Sequence, residues 1–131
     1  MNHLMVKFTH GVEIGAYQAY IGHYARTNDP KVSDISGDEY GHQLILRAFL
    51  KEHGEKRSYL FDIPFFIIGF TVRLLCQISP VFMLNKVATL LEYFAVFSYE
   101  KLSHKYPAYK QMFLSMAETE NEHKVYFKEL K

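Results

Sequence analysis

Two short segments carry the residues best suited to chemistry in this chain. They are Glu39-Tyr40-Gly41-His42 and Glu120-Asn121-Glu122-His123, each a Glu-x-x-His. A further Glu on an apolar helical stripe precedes each, Glu13 by 26 residues and Glu92 by 28. Glu and His three positions apart on a helix project from one side, so a carboxylate oxygen and an imidazole nitrogen can reach one ion. The metal-ligand candidates are therefore Glu13, Glu39, His42, Glu92, Glu120 and His123. Four Glu and two His have the ligand content of a carboxylate-bridged two-metal site in a four-helix bundle. Four carboxylates balance the charge of two divalent ions, which offsets the cost of burying either alone. Mixed nitrogen and oxygen ligands with open positions suit iron, with manganese as a second possibility, better than thiophilic metals. A di-iron(II) centre of this kind can take O2 as co-substrate.

Helices with matching inward stripes must position these residues. Residues 3 to about 27 read as a first helix, with Val6, Thr9, Glu13, Ala16, Tyr20 and Tyr24 on one face. Asp29 reads as the N-cap of a second helix, 30 to about 53, with Pro30 in its first turn. Its stripe is Ile35, Glu39, His42, Leu46 and Phe49. Gly37 and Gly41 weaken this helix by roughly 1 kcal/mol each, a cost that close helix approach would offset. Gly54 suits the stop. Residues 80 to about 105 form the third bundle helix, striped by Ala88, Glu92, Ala95, Tyr99 and Leu102. Residues 107 to about 129 form the fourth, striped by Phe113, Met116, Glu120, His123 and Phe127. The stripe positions, more than the motifs alone, mark the six residues as ligands. The contrary reading makes them surface groups on misphased helices, or core histidines satisfied by carboxylates.

Between the second and third of these helices lies the most apolar stretch, Phe61 to Val72. Its charge-free run, Ile63 to Val72, is ten residues long, about half of what a membrane span needs. The expectation is a greasy, partly helical crossover. It covers the bundle, forms a homodimer interface or meets a membrane.

Composition bounds the remaining possibilities. With 131 residues the chain suits one domain, 1–131, and no segment reads as a strand. Net charge is +1, so no strong field recruits nucleic acid. The single cysteine, Cys76, sits in an apolar stretch and reads as a buried small hydrophobe. The first residues lack the pattern of a signal or transit peptide, which points to a cytoplasmic protein. His3, His23, His53 and His104 have no matched partners and read as surface or satisfied histidines. Tyr20 and Tyr99, each seven residues after a ligand Glu, are candidates to hydrogen-bond a ligand carboxylate, or else core aromatics. His10, one turn before Glu13, is a third candidate to support the ligands from behind, or else an ordinary helix-surface residue.

The segment His10-Gly11-Val12-Glu13-Ile14-Gly15-Ala16, followed by Tyr20-Ile21-Gly22, resembles the first helix of the demethoxyubiquinone hydroxylases. Glu39-Tyr40-Gly41-His42, Leu91-Glu92 with Tyr99, and Glu120-Asn121-Glu122-His123 are similar to that family's later helix motifs. The resemblance spans most of the chain. It implies a ferritin-like four-helix bundle and a di-iron centre. It also implies peripheral association with the cytoplasmic face of the inner membrane. The implied activity is O2-dependent hydroxylation of a quinone-like polyprenyl lipid, as in ubiquinone biosynthesis, with electrons from a donor or reductase the residues do not identify. The pattern departs from the family at Ser98, where a His is usual, and at Thr119, where an Asp is usual. The first departure bears on quinone handling. A ferritin-like di-metal protein of iron handling or peroxide and stress defence is the alternative, and a membrane-associated helical module with a vestigial site is a third.

Overall fold

The protein is described from a computed structural model that covers residues 3–130. It is all-helical, at 88% helix, with no strand among the described residues. The five α-helices are α1 (Leu4–Thr27), α2 (Pro30–Glu52), α3 (Tyr59–Leu75), α4 (Val81–Lys105) and α5 (Lys110–Glu129). A single 3-10 turn, Pro107–Tyr109, leads into α5. The chain divides into two units, Met1–Ser79 and Pro80–Lys131.

In the first unit, α1 runs beside both α2 and α3. The expected helix borders hold because their stop and start signals are local. Asn28 adopts a left-handed conformation at φ 55° and its N–H bonds the Tyr24 carbonyl, closing α1. The Asp29 side chain then accepts from the Lys31 N–H, and Pro30 sits where its missing N–H costs nothing. Gly54, at φ 71°, lies just beyond α2, as a terminating glycine should. The core residues this unit carries include Val6, Tyr20, Ile35, Leu46, Phe49 and Leu50. Cys76 is buried at the end of α3, where burial pushes its thiol up and keeps it inert.

The α1–α3 pair is built on glycine. A Cβ at Gly15 would stand 2.8 Å from the Phe65 carbonyl oxygen, and one at Gly22 would stand 2.5 Å from the Arg73 Cα. At Gly69 it would collide with the Gly15 backbone. The two helices therefore meet backbone to backbone, in the small-residue manner common where apolar helices cross closely. Gly37 and Gly41 have no such role. A Cβ at either meets nothing within 4 Å, so the close approach expected beside them occurs elsewhere.

The crossover is a full helix of 17 residues, not a partly helical link. It is the most apolar helix of the chain, yet only Asp62 and Gly69 along it are buried. Phe61 and Phe65 pack on Phe8 of α1, but most of the helix's apolar side chains point outward: Ile63 is 54% exposed, Ile67 58% and Leu74 58%. This inverts the usual arrangement of an apolar helix in water. Backbone contact through glycine, with Phe61 and Phe65 packed edge-on to Phe8, holds α3 to α1 and leaves its outward side chains available to something else.

The second unit is the α4–α5 hairpin, turned at Tyr106-Pro107. It carries Ala88, Tyr99, Leu102, Phe113, Met116 and Phe127 as buried apolar residues. The other face of α4 exposes Phe82, Met83, Val87, Leu90, Phe94 and Phe97. Among the described residues, α4 is the one helix long and apolar enough to cross a membrane by length and composition.

Candidate metal centre

Each unit assembles its own trio of two carboxylates and an imidazole. In the first, α1 supplies Glu13 and α2 supplies Glu39 and His42, all buried. His42 turns Nδ1 toward both acids, 3.6 Å from Glu39 Oε2 and 3.8 Å from Glu13 Oε1. In the second, α4 supplies Glu92 and α5 supplies Glu120 and His123, again buried. Here His123 Nδ1 lies 3.1 Å from Glu120 Oε2 and 3.7 Å from Glu92 Oε2. All six predicted ligands are thus drawn into these two trios. The local cause is the helical period. In both motifs i and i+3 face the same way, and the lone Glu comes from the antiparallel neighbour.

The donor atoms within each trio lie within 4.8 Å of one another. Ligands about 2.0–2.2 Å from a shared ion stand no more than about 4.4 Å apart, so small side-chain rotations would close either trio on a metal. The charges suit it as well. Two carboxylates beside each other in a dry interior repel, and burial penalises the ionised form of each. Glu13 shows the result: burial, then the Glu39 charge, push its carboxyl up to about 8. A proton satisfies that demand when no cation does. A divalent ion satisfies it better, because two carboxylates and a neutral imidazole then carry matching charge. The donor set therefore fits a hard or borderline divalent metal, and no thiolate is among the donors.

The three supporting candidates differ in surroundings. Tyr20 and Tyr99 are fully buried on the inward faces of α1 and α4. Tyr99 stacks on Phe113 with ring centroids 6.5 Å apart, and Tyr20 lies 6.5 Å from the His23 ring, so both are at least core aromatics. His10 is not a helix-surface residue. It is wholly buried, with Nδ1 2.9 Å from Asp62 Oδ1. Arg47 Nε–H donates to its Nε2 at 2.8 Å. That donation requires a neutral ring with its proton on Nδ1, in keeping with burial holding the His10 pKa below the ordinary histidine value.

From Arg47 the bonds continue inward. Its Nη2 donates to Gln43 Oε1 at 3.3 Å, and Gln43 Nε2 donates to the Glu13 backbone carbonyl at 3.3 Å. Arg57 completes the set by donating to Asp62 Oδ2 at 2.7 Å. Sequence reasoning missed Asp62, Arg47, Arg57 and Gln43. One signal was present: Asp62 is a lone carboxylate at the head of the greasiest stretch of the chain, where a charge is costly without a partner. Ser98 is buried beside Tyr99. Comparison with protein-family models, with curated proteins and with solved structures finds no match to this chain.

Proposed function

We propose that the two trios are the halves of one dinuclear iron centre in a ferritin-like bundle. On this reading the chain is an O2-dependent hydroxylase of a quinone-like lipid at the cytoplasmic face of a membrane. The observation that carries the reading is the matched pair of trios. Each is a buried Glu from one helix with a Glu-x-x-His from its neighbour. Glu13, Glu39 and His42 would hold one iron and Glu92, Glu120 and His123 the other. Bound iron(II) supplies the activation of O2. One oxygen atom enters the substrate C–H bond and the other leaves as water, with two electrons from an external donor and two protons. The chain itself supplies charge balance, a dry interior and fixed ligand directions. The bonds from Asp62 through His10, Arg47 and Gln43 hold α1 in register behind Glu13. The outward apolar side chains of α3 and α4 suit seating in one leaflet, where a polyprenyl substrate resides.

Metal analysis of the purified protein tests the centre. The expected result is about two iron ions per chain with near-ultraviolet oxo-bridge absorption, both lost in Glu39→Ala. Metal-free protein under all loading conditions would rule the reading out. Quinone-dependent consumption of O2 and reductant then tests the hydroxylase. Vigorous peroxide turnover with inert quinones would favour the alternative of a di-metal stress protein, a reading supported by Ser98 standing where the resembling family has His.

A further inference from the structure

The second unit contains a cavity of about 460 Å³ that no metal ligand lines. It lies between the first turns of α4 and the last turns of α5. Phe82, Leu90 and Phe127 give it apolar walls, and Asn85 and Thr89 are the polar residues among them. Phe127 and Asn85 in its lining are buried, while Lys86 and Lys128 are exposed, as are Phe82 and Leu90. Among the described residues, no acidic side chain lines it.

We infer that this groove binds a single-chain anionic amphiphile, a long-chain fatty carboxylate. The volume is in the range of small-molecule sites, with room for one acyl chain rather than the two of a phospholipid. The walls remove a hydrocarbon chain from water. The ammonium groups of Lys86 and Lys128 in its lining match a negatively charged head. A neutral head such as a quinone ring gains nothing from that pair of charges. The apolar outer face of α4, with Met83 and Val87 exposed, adjoins the mouth and gives a chain a path from an apolar phase. This site is separate from the metal reading and does not depend on it.

The test is fluorescence titration of the 131-residue chain with 11-(dansylamino)undecanoic acid, a carboxylate probe suited to a chain without Trp. The expected result is one saturable site per chain, displaced by oleate and not by methyl oleate, and weakened by added salt. Lys86→Gln with Lys128→Gln should weaken oleate about tenfold. Thr89→Phe, which fills the cavity, should abolish binding. Leu90→Glu, at an exposed position that leaves the fold intact, should abolish it too by adding charge at the wall. Leu60→Gln, on the apolar surface of α3, should leave binding unchanged. Unaltered binding in both Thr89→Phe and Leu90→Glu would overturn the proposal. So would equal displacement by the methyl ester, several probes per chain, or binding that resides only in anionic phospholipid vesicles.

Discussion

His10 Nδ1 donates to Asp62 Oδ1 at 2.9 Å, joining residues 52 positions apart in a fully buried contact. The contact fastens the apolar helix α3 to the helix that carries Glu13. Asp62 also receives Arg57, so its removal strands both a buried imidazole N–H and a partly buried guanidinium. Asp62→Ala should cost about 2–4 kcal/mol in chemical denaturation, and Asp62→Asn less, because the amide still accepts one bond. A loss under 0.5 kcal/mol in Asp62→Ala would show that α3 is held by its glycine and Phe8 contacts without help from Asp62.

Burial of His10, only partly opposed by Asp62, sets an acid limit on stability. The folded-state pKa of His10 lies below the unfolded value of 6.5. The unfolded chain therefore binds the proton first, and this contribution is present above pH 6.5 and lost as pH falls through the lower folded pKa. His10→Gln should flatten that part of the profile of thermal stability against pH.

Glu13 gives the opposite slope in the metal-free protein. Its carboxyl is raised from 4.5 to about 8 on folding, so the folded state holds the proton more tightly. Stability from this group is complete below pH 4.5 and declines as pH rises to about 8. Glu13→Gln should remove the decline. A bound divalent ion must displace that proton, so manganese affinity should climb with pH and level off near pH 8. Affinity that is flat from pH 6 to 8 would count against Glu13 as a ligand.

The glycines sort into two groups that substitution should separate. Gly15→Ala and Gly69→Ala force the α1 and α3 backbones apart and should each cost about 1–3 kcal/mol or more. Gly37→Ala meets nothing within 4 Å and should stabilise the protein by about 0.5–1 kcal/mol, from helix propensity. Urea unfolding of the three variants checks both signs.

The outer face of α3 should behave as a docking surface rather than a core. Replacing Ile63, Ile67 and Leu74 together by Ser removes only outward side chains, so thermal stability should hold within about 0.5 kcal/mol. Co-sedimentation with lipid vesicles should fall sharply. Unchanged vesicle binding alongside conversion of a dimer to a monomer would identify the face as an interface between two copies.

Much of the site was legible because its signals are local. The Glu-x-x-His spacing, the stripes around it, the Asp29 cap and the Gly54 stop each depend on residues within a turn or two. All six ligand candidates could therefore be named from periodicity, and the structure gathers them into two buried trios that could hold a metal. His10 was legible only as a residue near Glu13, since nothing within a turn of it indicates Asp62 or Arg47. The glycines misled for a related reason. Gly37 and Gly41 stand beside a motif, but close approach depends on which helix lies opposite, and α3 lies opposite Gly15 and Gly22.

The sequence by itself determined four of the five helices, their borders to within a few residues, and the acids and imidazoles striped along them, because helical period and capping act over a few residues. Tertiary structure alone decided that the greasiest helix turns most of its side chains outward, since a backbone-to-backbone fit between Gly15 and Gly69 brings only a narrow face of it against α1. It also decided the bonds of Asp62 to His10 and Arg57 and the groove between the ends of α4 and α5. Each of these depends on groups distant in the chain meeting at a few ångströms, and no spacing within one helix encodes that.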